Sequence, residues 1–224
     1  MFQGFTPEAV EFLWGIKFNN NREWFNANKE RYLAAKERTD EFTAALIDAV
    51  AQFDPRASRL DVRDCTYRIY RDTRFSPDKT PYKNHIGIFI NPPGGKKSLT
   101  CGYYFHLEPG NSAVYAGTIC LPGKIVSAIR QSIRDEIDEY RGIVEDPAFR
   151  SLFPNLGANF VKTAPKGFDK DWDYIDYVRP RDFCASSATI DSIYTGKNPI
   201  KHLIPYIEHA FRFNAFINYT IEQF

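Results

Sequence analysis

Between Arg68 and Lys83 the chain reads RIYRDTRFSPDKTPYK, which gathers three arginines, two lysines, two aspartates and two prolines. The planar fork of arginine can hold a phosphate or carboxylate through two parallel hydrogen bonds, and lysine adds a mobile point charge. Arg68, Arg71 and Arg74 are therefore candidates for an anion clamp, with Lys79 and Lys83 as a supporting field. Lys162 and Lys166, in KTAPKG, would add to that field if their loop folds over the same surface. Asp72 would orient the arginines, and Tyr82 or His106 would donate a proton near neutral pH, with His85 and Glu108 as further groups able to move one. Arginines stabilise charge that grows in a transition state, so hydrolysis or group transfer is the chemistry such a set could carry. The same charges admit two other readings. The arginines could pair with Asp61, Asp64, Asp72 and Asp78 in a purely structural network, or the face could belong to a noncatalytic module that binds a protein or single-stranded nucleic acid.

These side chains need a surface to share. Cys65, Tyr67 and Ile69 alternate with Thr66, Arg68 and Tyr70; Ile86, Ile88 and Ile90 alternate with His85, Gly87 and Phe89; and Leu99 to Leu107 alternate with Tyr104, His106 and Glu108. A period of two predicts strands with an apolar face and a mixed face, which brings Arg68, Tyr70, His85, Tyr104, His106 and Glu108 to one side. Asn91-Pro92-Pro93-Gly94-Gly95 and Glu108-Pro109-Gly110-Asn111 supply turns, so an antiparallel meander is expected from about 64 to 120. The loop from Ser76 to Lys83 joins the first two strands, and its prolines restrict it.

Helices flank this block. Thr6-Pro7-Glu8 starts one that should reach Phe18. Asn20 with Glu23 reads as a capping box for a second, long helix through Phe25, Tyr32, Phe42, Leu46, Ala49 and Phe53, ended by Asp54-Pro55. Pro122 opens a third, with Ile125, Ile129, Ile133 and Ile137 four apart, and Asn198-Pro199 begins a C-terminal helical region packed through Ile200, Leu203, Ile204, Ile207 and Phe211. Residues 160–187 read as irregular, with one or two short strands. The order predicts an α+β fold, an antiparallel sheet packed with N-terminal, central and C-terminal helices, in a single domain over residues 1–224.

Composition narrows the function classes. With 29 Lys and Arg against 28 Asp and Glu, the formal net charge is +1, so no global basic field gathers nucleic acid or anionic membrane, and any anion preference must be local. The partner expected is a small anionic ligand. Cys65, Cys101, Cys120 and Cys184 form no C-x-x-C pair and read as small buried hydrophobes in a reducing compartment. The amino terminus lacks a basic start and apolar run, and a cytoplasmic location is the expectation.

Several patterns fail on inspection. Asp169, Asp171 and Asp173 alternate like a calcium loop, but Tyr174 stands for its glycine and Pro180 for its bidentate glutamate. His202 and His209 share a helix face without an H-E-x-x-H pattern. Gly196-Lys197 lacks the rest of a P-loop, and neither a nucleophile elbow nor a dinucleotide fingerprint occurs. No metal site is expected, and no cofactor or oligomeric state follows from the sequence.

The stretch RIYRDTRFSPDKTPYK resembles the signature of a widespread bacterial family of conserved hypothetical proteins, a domain of unknown function marked by Arg-x-x-Arg-Asp-x-Arg-Phe followed by Asp-Lys and Tyr-Lys. Arg68, Arg71, Asp72, Arg74, Phe75, Asp78, Lys79, Tyr82 and Lys83 occupy the motif positions. NNNREWFNANKERY, GYYFHLEPGNS, KTAPKGFDKDW and the closing Phe213 to Phe224 share the family's look, so the resemblance covers nearly the whole chain. Where some members carry a histidine and a proline after the KGFDKD run, Trp172 and Asp173 stand here, which leaves no histidine to act at that point. The resemblance implies an identity without a reaction.

Overall fold

The computed structural model describes residues 4–92 and 94–224. Residues 1–3 of the amino terminus and Pro93 of the expected Asn91–Gly95 turn lie outside the described residues. The fold is α+β. Helices α1 (Pro7–Phe18), α2 (Arg22–Ala27), α3 (Lys29–Ala51) and α4 (Val62–Cys65) precede strands β1 (Ile86–Ile90), β2 (Gly102–Leu107) and β3 (Ala113–Thr118). Helices α5 (Gly123–Asp135), α6 (Ile137–Val144) and α7 (Pro147–Leu152) follow, then β4 (Asn155–Ala158), β5 (Asp182–Ala188), α8 (Ser192–Thr195) and α9 (Pro199–Ile221). The strands form one antiparallel sheet in the order β1-β2-β3-β5-β4. Among the described residues no helix is long and apolar enough to cross a membrane.

The chain divides into two compact units. The first comprises residues 1–96, 104–114 and 188–204. Thr6 caps α1 by accepting from Ala9 N, and α1 buries Phe12, Leu13 and Ile16. Helix α3 buries Phe42, Leu46 and Val50, and Phe42 meets Phe5 and Tyr194 edge to face. At roughly 1.5–3 kcal/mol for each large side chain buried, this aromatic and aliphatic core is what holds the unit against chain entropy.

The second unit comprises residues 97–103, 115–187 and 205–224. Ile125, Ile129 and Ile133 of α5 are buried, Tyr140 of α6 packs on Phe216, and Phe149 of α7 packs on Phe213. Asn218 of α9 treats the backbone of Cys101 as a strand would, with Cys101 N donating to Oδ1 at 2.6 Å and Nδ2 donating to Cys101 O at 3.3 Å. Strand β4 pairs with β5, Asn155 opposite Ser186 and Leu156 opposite Ala185, and the register slips before Ala158 meets Asp182. Gly157, with φ +75°, sits at that slip, where a side chain would press into Pro180.

Four elements differ from the sequence expectation. The alternating run from Cys65 to Tyr70 forms no strand: Asp61 and Asp64 make a capping box that winds Val62–Cys65 into a helical turn, and only the bridges Thr66–Ile88 and Tyr70–Tyr82 remain. The meander therefore begins at Ile86, not near 64. The long second helix is two, because Asn28 folds its side chain back to Trp24 O and ends α2 before α3 begins, and the cap of α2 is Asn21. The isoleucine helix breaks at Glu136 between α5 and α6. Strand β4 lies where the sequence suggested none, whereas β5 is one of the short strands expected between 160 and 187. Of the cysteines, Cys65 and Cys101 are buried, while Cys184 is half-buried and Cys120 exposed.

Candidate functional site

The basic motif folds as a closed, cross-braced loop in the first unit. Arg71 N donates to Pro81 O at 2.9 Å and Lys83 N to Ile69 O at 2.8 Å, so the two arms run antiparallel around the Tyr70–Tyr82 bridge. Pro77 and Pro81 withhold ladder donors, which limits that pairing to its base. Inside the loop, the Arg71 guanidinium donates to Asp78 and Thr80, and Arg74 grips Asp72 with Nε at 2.9 Å and Nη2 at 2.6 Å. Lys79 Nζ donates to Thr73 O at 2.8 Å. The hydrogen bond from Arg74 is the largest cause holding Asp72 down to about 2, and that from Arg71 does the same for Asp78. Exposed pairs of this kind shape a loop more than they stabilise a fold.

Tyr82 fastens the loop to the core. It is only 4 % exposed and stacks on Phe25 with ring centroids 4.1 Å apart. Asn20 pairs with its backbone in both directions: Nδ2 donates to Tyr82 O at 2.9 Å and Tyr82 N donates to Oδ1 at 3.0 Å. Burial, then Tyr70, raises the pKa of the Tyr82 phenol.

Two motif cations remain outside this bracing. Arg68 is exposed, and its guanidinium has no hydrogen-bond or ion-pair partner among the described residues. Lys83 donates to Arg68 O at 2.9 Å and lies 5.1 Å from the centre of the Tyr67 ring, which Lys96 also approaches at 5.8 Å. Burial, and then the charge of Arg68, lowers the pKa of Lys83. Two like charges close together disfavour one another, an arrangement that a bound anion relieves.

Two residues beyond Lys83, His85 immediately precedes β1 and lies beside a polar group that begins on β2. The His85 and His106 ring centroids are 4.5 Å apart. His106 places Nδ1 3.1 Å from the Tyr104 hydroxyl and Nε2 3.2 Å from Glu108 Oε2. Asn84 Nδ2 donates to Glu108 Oε1 and Asn111 Nδ2 to Oε2, each at 2.8 Å. Gly87 leaves room for the Tyr104 hydroxyl, which a Cβ there would overlap. The His106 and Glu108 side chains are 14 % and 16 % exposed, so the group is shielded without being sealed. Burial is the largest cause, and His106 the next, of a His85 pKa held down to about 4, so its ring is neutral at pH 7. At Glu108 burial pushes the pKa up, and hydrogen bonds from Asn111, His106 and Asn84 together outweigh it and lower the pKa.

The turn carrying Glu108 is tied down as well. Asn111 N donates to Glu108 O at 2.8 Å and Gly110 has φ +77°, the geometry a type II turn requires. Asp191 accepts from Gly110 N at 2.9 Å and from Ser112 Oγ at 2.7 Å.

The first unit thus holds Arg68, Lys83, His106 and the loop residues Arg71, Asp72, Arg74 and Lys79, with Tyr82 buried as the loop's anchor. Lys162 and Lys166 are exposed residues of the second unit. The expectation of no metal site took no account of His85, His106 and Glu108 as one group, although their ligand atoms lie within 4.8 Å of one another. Alternation along β2 could have found Tyr104, His106 and Glu108 together; nothing in the sequence pointed to Asn84, Asn111 or Asp191 as their supports. An open depression lined by Lys36, Asp40, Asp61, Val62, Arg63 and Thr66 mixes charges of both signs and holds none of these groups.

The family model described as "Conserved hypothetical protein (DUF2461)" matches residues 8–216. No curated protein and no solved structure matches the chain.

Proposed function

Because the chain belongs to this family of conserved hypothetical proteins, whose description carries no reaction, we propose its function from the site: it binds a small phosphate- or carboxylate-bearing ligand at Arg68 and Lys83, beside His85, His106 and Glu108. The observation that carries the reading is the exposed Arg68 guanidinium, which has no hydrogen-bond or ion-pair partner among the described residues and whose own backbone oxygen holds Lys83 Nζ at 2.9 Å, while Arg71, Arg74 and Lys79 each have a partner within the loop. Arg71, Arg74 and Lys79 then serve as the frame that presents Arg68 and Lys83, with Asp72 and Tyr82 as positioning residues. His106, held by Tyr104 and Glu108, is the group suited to move a proton. Hydrolysis or group transfer is the chemistry this combination suits, with the cations offsetting charge that develops on the ligand. The unpaired cysteines are consistent with a cytoplasmic setting.

The test is a thermal-shift screen of the whole chain against inorganic phosphate, nucleotides and dicarboxylates, run on wild type and Arg68→Ala. A ligand at a hundredfold over its dissociation constant stabilises the folded state by about 2.7 kcal/mol. Arg68 braces nothing, so the variant should melt with wild type in buffer alone and lose the ligand shift. A variant that still responds to the ligand removes Arg68 from the site. A ligand-free variant that melts far earlier marks the motif as architectural. Binding only to long single strands, weakening steeply with salt, would instead identify a nucleic-acid module.

A further inference from the structure

Anion binding does not account for the polar group beside it. His85, His106 and Glu108 each offer one ligand atom, all within 4.8 Å of one another, and two imidazoles with one carboxylate make a mixed nitrogen and oxygen donor set. His106 and Glu108 are held in position from behind. His106 meets the Tyr104 hydroxyl at Nδ1, which leaves Nε2 on the side of Glu108. The Glu108 carboxylate is oriented by amide donors from Asn84 and Asn111, and Lys17 Nζ stands 3.9 Å from Oε1, the oxygen turned away from His106. Outer partners of this kind are what fix the tautomer and direction of metal ligands.

We propose that His85, His106 and Glu108 bind one divalent transition-metal ion of the zinc class. Imidazole nitrogens select against magnesium and calcium, which prefer oxygen alone, and mixed nitrogen and carboxylate donors suit zinc and its neighbours. Coordination through Nε2 calls for the His106 tautomer that carries its proton on Nδ1, beside the Tyr104 oxygen that can accept it, and Glu108 Oε2 then faces the ion. Three protein ligands leave a coordination position open, as catalytic zinc sites do and structural ones do not. That open position faces the anion only if the reading of Arg68 and Lys83 is right; the ion itself does not depend on it.

The test uses the whole chain, stripped with a chelator and titrated with Co(II) and Zn(II) in phosphate-free buffer. One equivalent of Co(II) should bind with visible d–d absorption and no thiolate charge-transfer band, and one equivalent of Zn(II) should displace it. His85→Ala and Glu108→Gln should abolish that uptake while keeping the wild-type circular dichroism. Asn111→Ala, which touches only the support of the carboxylate, should fold and weaken uptake by about 10–100-fold, so the test survives if the ligand variants do not fold. Absence of saturable uptake, uptake unchanged in all three variants, or a thiolate band marking Cys120 as the ligand overturns the proposal. Zn(II) uptake with no response to phosphate keeps the ion and removes the anion reading, and phosphate stabilisation of a chain that takes up no Zn(II) does the reverse.

Discussion

The side chain of Asn20 is paired to the backbone of Tyr82 through both its donor and its acceptor, at 2.9 and 3.0 Å, in the manner of a neighbouring strand. Asn20→Ala leaves the N–H and C=O of Tyr82 without those partners in a partly buried place, a loss of about 1–3 kcal/mol. Urea denaturation should show that loss, and limited proteolysis should show faster cutting between Arg71 and Pro81. Asn20→Asp keeps the acceptor, removes the donor and should fall between wild type and alanine. Wild-type cutting in Asn20→Ala would mean that the ring stack on Phe25 is anchor enough.

The supports of His106 make a second prediction. A methyl group at residue 87 overlaps the Tyr104 hydroxyl, so Gly87→Ala must displace the phenol from His106 Nδ1. An overpacked strand of this kind loses about 1–3 kcal/mol. Adding Tyr104→Phe removes the nearest atom and should recover part of it, a coupling that a double-mutant cycle reads directly. The His106 ring nitrogen resonances should move in Gly87→Ala; resonances that stay put would show that Tyr104 does not hold the ring.

Acid should loosen the basic loop before it unfolds the chain. Asp72 and Asp78 sit at about 2 in the folded chain, below their ordinary 3.8, with hydrogen bonds from Arg74 and Arg71 as the respective largest causes. Depressed folded values mean that the bracing is complete above about pH 4 and is lost as pH falls through 3.8 toward 2. Carboxyl carbon resonances should report these two groups titrating well below 3.8. In Arg71→Ala the Asp78 midpoint should return toward its ordinary value, and an unchanged midpoint would assign the shift to Thr80.

In the second unit, Asn218→Ala strips both buried backbone groups of Cys101 at once. Each group left unpaired costs about 1–3 kcal/mol. The denaturation midpoint should fall with the slope unchanged, because the surface exposed on unfolding is the same. A changed slope would mean that α9 has come away from the Cys101 backbone in the variant.

These asparagines explain what could and could not be read in advance. The mixed face of β2 was legible because alternation needs no partner: Tyr104, His106 and Glu108 are two apart, and a strand turns them to one side. The start of α1 was legible for the same reason, since Thr6, Pro7 and Glu8 act within one turn. The run from Cys65 to Tyr70 misled because its alternation was real while a capping box formed by Asp61 and Asp64 claimed its start. Asn20, Asn84, Asn111 and Asn218 carry no period at all. Their partners lie far away in sequence or across a turn, so only the folded chain names them. Equally, the motif's charges could not be divided into braced and unbraced ones from the sequence, because only the folded loop engages Arg71, Arg74 and Lys79 and leaves the Arg68 guanidinium without a hydrogen bond or ion pair among the described residues.

Asp191 gives the cluster a history as well as a shape. The turn that carries Glu108 is fastened by a carboxylate 81 residues further along the chain. A ribosome making this protein delivers His85, His106 and Glu108 well before the residue that secures their turn, and β5 enters the sheet beside β3 only after three helices have been made. A nascent chain stopped at α7 would carry all three ligand atoms and still lack the clasp. Competence of the site should therefore arrive late and all at once, when synthesis has passed residue 191.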